Sequence, residues 1–296
     1  MTVLDALLAM PRLSWEQGVA AQAMLDLGRP DLARLMAEAA VTLQAPDGRL
    51  SSFPHEDNAV NGAANGEAVL RCGFGEAAAR QLDWLLRQAP RTADGTLIHV
   101  LDTTEIWADT VYMVVPFLAL AGHPEEAERQ VEGHRRALCT DGVYRAISPT
   151  RPAHWGGGNG WVTAGIARAI RLAPVLRDSS LPTHAQEVLD ACLEFRRPDG
   201  LFHDVLDDPA TFRETNAGQM FAYAALTGAA DGWLPARYAG IGRELLTAAE
   251  REVDQWGVVR NACGAPTFDH AGTSAEAQAF HLLAQAAASG DRLPGT

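Results

Sequence analysis

The chain has 296 residues, of which 47% are apolar and 21% charged, the balance of a folded globular protein rather than a disordered one. Its formal net charge is −13 and its basic residues form no cluster, which argues against a nucleic-acid or anionic-membrane partner, because nothing would neutralise phosphates. All 24 basic residues are Arg, so Schiff-base chemistry, lysine-bound pyridoxal phosphate and the Walker A lysine are excluded.

Along the chain the apolar residues recur with helical spacing. A short segment, 3–10, comes first. Residues 14–27 open on Ser14-x-x-Gln17, a capping-box pattern, and stop at Gly28. Segment 31–44 follows, then the pairs 59–72 with 75–89, 105–121 with 124–138, 159–173 with 183–196, and 215–227 with 236–252. The last helix, 274–288, is introduced by Thr273-x-x-Glu276. Between pairs a turn signature returns: Asp47-Gly48, Asp94-Gly95, Asp141-Gly142 and Asp199-Gly200, at intervals of 47, 47 and 58 residues, with Gln255-Trp256-Gly257 as a degenerate fifth copy. Asp-Gly marks a turn because Gly accepts positive φ and Asp can bond its own backbone.

Twelve helices arranged as six hairpins predict an all-α fold, an (α/α)₆ barrel closed into a toroid, as one domain spanning residues 1–296. Every second helix begins with the same kind of composition. Trp15-Glu16-Gln17, Asn61 with Asn65-Gly66-Glu67, Trp107-Ala108-Asp109, His154-Trp155 and Glu214-Thr215 place aromatic and polar groups at these starts. The intervening helices carry charged faces, as in Pro124-Glu125-Glu126. The simplest arrangement has six inner helices whose N-terminal ends converge on one pocket. An open α-solenoid explains the repeat equally well, but not this gathering of residues.

Other signals are absent. Cys72, Cys139, Cys192 and Cys263 are scattered without zinc spacing and read as small hydrophobes of a reduced compartment. No basic stretch leads into an apolar run and cleavage site, and the longest apolar run, 111–121, is broken by Pro116. A cytoplasmic, soluble protein, monomeric or homodimeric, is expected. Gly-x-Ser-x-Gly and His-Glu-x-x-His do not occur. His203 stands near Asp204, Asp207 and Asp208 but lacks a second His at ligand spacing, so no metal is expected, and His99, His123, His134 and His184 read as structural.

Three stretches resemble the six-hairpin glycosidases, specifically the unsaturated glucuronyl and rhamnogalacturonyl hydrolases of glycoside hydrolase families 88 and 105. They are Trp107-Ala108-Asp109-Thr110-Val111-Tyr112-Met113, Trp155-Gly156-Gly157-Gly158-Asn159-Gly160-Trp161, and Leu201-Phe202-His203-Asp204 continuing to Glu214-Thr215. The resemblance implies hydration of a vinyl ether in a small saccharide or glycoside, without metal or organic cofactor, with Asp109 as general acid and base. A residue in both roles needs a pKa raised towards the working pH, which partial burial achieves. Tyr112, Met113 and Pro116 at i+3, i+4 and i+7 place Asp109 on an apolar stripe.

Trp107, Trp155 and Trp161 suit stacking on a sugar ring or another flat apolar ligand. Tyr112, Met113, Asn159, His203 and Glu214 are further substrate-binding candidates, with Arg145, His154 and Glu16 beside them. The sequence departs from the family at three places, one being Arg145, which stands near where a His is common after the third Asp-Gly turn. Asn61 stands where a second Asp is usual, with Asp57 and Glu67 as nearby carboxylates, and Gly157 replaces the Arg of Trp-x-Arg-Gly-Asn-Gly-Trp. The departures leave open a second reading, in which the same Asp serves an isomerase, lyase, hydratase or cyclase on a non-uronide. A third is a non-catalytic ligand-binding toroid.

Overall fold

Each Asp-Gly pair closes a tight turn with its glycine at positive φ, 104° at Gly48 and 82° at Gly142, and Gly257 of the degenerate copy does the same at 75°. The strand-like arms of these turns are tied by backbone bonds such as Ala45 N–H to Arg49 O (2.8 Å) and Arg197 N–H to Leu201 O (2.9 Å). The computed structural model describes residues 1–10, 12–52, 57–265 and 267–290.

Helices fill the intervals between turns. The inner set is α2 (Ser14–Asp26), a 3₁₀ turn (Asn61–Asn65) running into α4 (Gly66–Arg71), α6 (Thr110–Leu120), α8 (Gly156–Leu172), α10 (Asn216–Ala230) and α12 (Ala275–Ser289). The outer set is α1 (Val3–Ala9), α3 (Pro30–Thr42), α5 (Gly75–Asp83), α7 (Pro124–Leu138), α9 (Leu181–Leu193) and α11 (Arg237–Glu250). Each inner helix packs on the outer helix that follows it, and α12 packs on α1, so the first helix of the chain completes the last hairpin. The inner helices also touch one another in sequence, and α12 returns to α2. The ring is closed, which rules out the open solenoid.

Burial follows this division. Residues 110–119 of α6 and 156–170 of α8 are all buried, whereas α7 buries only one face. Small residues let inner helices meet backbone to backbone. A Cβ on Gly18 would fall 2.5 Å from the Ala64 carbonyl carbon, and one on Gly165 would fall 2.8 Å from the Tyr112 Cα. On the axis, Tyr112, Trp161 and Phe280 pack edge to face with centroids 4.9–5.3 Å apart. Beyond them lies Arg168, fully buried, which bonds Asp26 and Glu67 bidentately at 2.6–3.1 Å and reaches the Tyr223 hydroxyl.

Several boundaries differ from expectation for local reasons. The helix expected from residue 105 starts only at Thr110, because Ile106 and Trp107 pair antiparallel with Ser148 and Ile147. The helix expected from residue 159 starts at Gly156, so the glycines form its first turn instead of a loop. Ser14 is not a cap; the Leu13 N–H donates to Glu16 Oε2 at 2.7 Å. Ser274, not Thr273, caps α12 by accepting from the Ala277 N–H, which leaves the Glu276 carboxyl free to do something else. Cys72 and Cys139 are half-buried and Cys192 and Cys263 buried, all four as thiols. Among the described residues no helix is long and apolar enough to cross a membrane.

Candidate active site

Because the inner helices run the same way round the ring, their N-terminal ends share one face. There the starts of α2, the 3₁₀ turn, α6, α8 and α12 enclose a cavity of 490 Å³. Asn61, Asp109, Met113, Trp161 and Glu276 lie deep in it, with Trp107 and Trp155 on its walls.

Asp109 immediately precedes the first residue of α6, and its side chain keeps 15% exposure towards the cavity. Its Oδ1 is buried with no hydrogen-bond partner among the described residues. Burial raises the carboxyl to about 7, against a smaller opposite pull from the backbone amides of Asp109 and Thr110. His99 stands beside it, Nδ1 at 3.9 Å from Asp109 Oδ1 and 2.8 Å from Thr110 Oγ1. Burial drives this imidazole down to about 3, so it is neutral, and its ring stacks on Trp107 at 4.6 Å. The second buried carboxyl of the cavity is Glu276, whose Oε2 accepts from Trp15 Nε1 at 2.7 Å. Burial, and then the neighbouring Glu16 charge, hold it well above the usual carboxylate range.

Trp155 organises another wall. Its Nε1 donates to Asp204 Oδ1 at 3.0 Å, and burial lifts that carboxyl to about 6. The indole lies over Gly157, where a Cβ would fall 2.8 Å from a ring carbon. The Arg151 guanidinium sits over the same ring, 5.8 Å from its centroid, lining the cavity without an ion pair among the described residues. Phe268 meets the Trp155 edge at 6.0 Å and Trp15 at 6.4 Å, with its backbone in the left-handed region at φ 53°.

Of the residues singled out in the sequence, Asn61, Trp107, Asp109, Met113, Trp155 and Trp161 meet in this cavity. Apart from Asp57 at its edge, the others do not line it. Tyr112 is in the core below, its hydroxyl donating to Gln22 Oε1 at 2.6 Å. Asn159 pins the ribbon after the third Asp-Gly turn, accepting from the Tyr144 N–H and donating to the Tyr144 and Trp155 carbonyls. Glu214 accepts from the N–H groups of Asn216, Ala217 and Cys263, fixing the start of α10, and burial lifts it to about 7. Glu16 is used by the Leu13 N–H, His154 by Asp207 and His203 by Arg197 and the Thr211 carbonyl. Arg145 is exposed, and Arg151, six residues on, is the arginine at the cavity. Glu67 belongs to the Arg168 cluster, while Asp57 reaches the cavity edge.

Sequence reasoning missed His99, Arg151 and Glu276. His99 carried the one usable signal, since it follows the second Asp-Gly turn as the inner-helix starts do. Among the described residues no three His, Cys, Asp or Glu side chains are grouped to hold a metal ion.

Comparison with known proteins fits this architecture. Unsaturated rhamnogalacturonyl hydrolase YesR of Bacillus subtilis (strain 168) is 30% identical over 175 residues, 51% of this chain and 51% of that one, so the match spans about half the length of the curated relative. A family 105 glycoside hydrolase of C. acetobutylicum ATCC 824 superposes with a TM-score of 0.76 at 17% identity, covering 93% of both chains. The unsaturated glucuronyl hydrolase of Bacillus sp. GL1 gives 0.70 at 17% identity over 90% of this chain and 84% of that one. These likenesses show a shared six-hairpin toroid. The model of Glycosyl Hydrolase Family 88 matches residues 73–280, and the chain belongs to that family.

Proposed function

We propose that the protein hydrolyses a 4,5-unsaturated uronide by hydrating its vinyl ether, with Asp109 moving the proton. The observation that carries this reading is the Asp109 carboxyl itself, raised to about 7 with one oxygen unpartnered, inside an aromatic-walled cavity. Such a group is protonated over the acid side of neutrality and ready to donate. In the proposed reaction it protonates C4, and positive charge develops at C5, next to the ring oxygen. The same carboxylate then takes a proton from the water that adds to C5. The resulting hemiketal opens to a 5-keto group, freeing the hydroxyl at C1, and C1 expels the aglycone as an alcohol. One water is consumed and one bond to the aglycone is broken.

Arg151 supports the uronide reading. Gly157 cannot carry the family's arginine because the Trp155 ring occupies that space, yet Arg151 brings a guanidinium to the cavity beside the same ring. A substrate carboxylate is the partner that geometry suits. His99, being neutral, adds no competing charge beside Asp109.

The test is turnover of a 4,5-unsaturated disaccharide, followed as loss of the ultraviolet absorbance of its conjugated double bond. Asp109→Asn should lower the rate by roughly 10²–10⁴-fold, the usual loss on removing a general acid. The pH profile has a definite sign. Since the raised carboxyl keeps its proton below about 7, the wild-type rate should hold on the acid side and fall as pH rises through that value. Full turnover by Asp109→Asn would overturn the reading.

A further inference from the structure

The walls of the cavity have a chemical bias that the unsaturated ring alone does not account for. Proteins recognise sugars through hydrogen bonds to hydroxyl groups, with aromatic faces in support. Here three indole N–H groups at the cavity are already committed within the protein: Trp15 to Glu276 at 2.7 Å, Trp107 to Glu105 at 2.9 Å and Trp155 to Asp204 at 3.0 Å. These rings therefore present only carbon to a ligand. Beside them the partly exposed wall carries Leu13, Val100, Ile147 and Phe268, with Asp57, Arg151 and Thr267 as its other polar groups besides Asn58. Phe268 is held there by a left-handed backbone and its N–H bond to the Gly264 carbonyl, and its ring joins Trp15 and Trp155 into one continuous strip. Asn58, a polar group on the same side, has its Oδ1 occupied by the Asn61 N–H at 3.0 Å. The volume, 490 Å³, lies in the range of sites for drug-sized ligands and leaves room beyond a single sugar ring.

We infer that the outer part of this cavity is an aglycone subsite for an uncharged apolar group, an alicyclic, aryl or alkyl alcohol, rather than for a second sugar. The inference rests on the uronide reading above and names the other half of its substrate. In that reaction the bond to the aglycone breaks only after the ring has been hydrated, so the quality of the alcohol as a leaving group contributes little. A preference among aglycones therefore reports binding and should be seen mainly in KM.

The test compares 4,5-unsaturated uronides of cyclohexanol and of glucose as substrates of the full chain. The cyclohexyl glycoside should have a kcat/KM at least tenfold higher, equivalent to about 1.4 kcal/mol. Ile147→Asn and Leu13→Asn should each bring the ratio down. A disaccharide used as well as or better than the cyclohexyl glycoside would overturn the inference and leave the uronide reading standing. If neither compound turns over, the uronide reading falls, and the subsite is decided by tryptophan fluorescence. A saturable response to cyclohexanol that Ile147→Asn weakens sustains it; no response overturns it.

Discussion

Gly157 and Trp155 show how one residue's surroundings decide what another can be. The indole over Gly157 is fixed from three sides, by Asp204 at its nitrogen, by the Arg151 guanidinium over its face and by Phe268 at its edge. A side chain at position 157 would have to displace it. Restoring the family's arginine by Gly157→Arg should therefore not improve activity. We expect it to destabilise the fold by about 1–3 kcal/mol, as overpacking does, read as a lower urea midpoint, and to raise KM by disturbing the Trp155 wall. Arg151 stands in no recognised motif, so nothing in the sequence separated it from Arg145. The two lie six residues apart, one exposed and the other at the cavity, because the chain between them turns back on itself through the Ile147 and Arg151 backbone pairing. Glu276 was hidden in a different way. Its spacing from Thr273 is that of a helix cap, and only the placement of Trp15 from the far end of the chain reveals that its carboxyl faces the cavity.

At the level of elements, the repeat was readable because its punctuation is physical. A turn that needs positive φ selects glycine, and an Asp before it supplies the local bond, so five turns could be counted and the helices between them paired. The order of inner and outer helices was likewise visible in where aromatic and charged residues fall. What stayed illegible were starts governed by distant pairing, such as α6, which waits for Ile106 and Trp107 to leave their ribbon. Helix contacts at small residues make a further prediction. On α8, Gly165 faces the Tyr112 backbone so closely that a Cβ would fall 2.8 Å from its Cα and 3.0 Å from its nitrogen. Backbone cannot swing aside as a side chain can. Gly165→Ala should lower stability by about 1–3 kcal/mol despite alanine's better helix propensity, measured by chemical denaturation.

For the molecule as a whole, the two ends of the toroid do different work. One end gathers the cavity, and the other buries Arg168 between Asp26 on α2 and Glu67 on α4. Some 12 residues of α8 separate Arg168 from the helix start, roughly 18 Å along the axis at 1.5 Å per residue. Arg168→Met removes the cation between two buried carboxylates, leaving Asp26 without its bidentate partner and Glu67 with Arg71 at 3.3 Å, and should cost about 3–5 kcal/mol. Activity per folded molecule, titrated at low temperature, should change far less than for Asp109→Asn. The sequence offered Glu67 only as a stand-in catalytic acid, since a buried ion pair spanning 101 residues leaves no local mark.

The Tyr112, Trp161 and Phe280 rings fill the bore of the toroid between these ends, with Arg168 and its partners behind them. The cavity is thus a blind well and not a tunnel. A polymer has no way to thread past Asp109, so in the proposed reaction only a terminus, or a molecule small enough to enter whole, can present its reacting bond there. Under the proposed function products would leave through the mouth by which the substrate entered, which makes each turnover a separate encounter and forbids processive sliding along a chain.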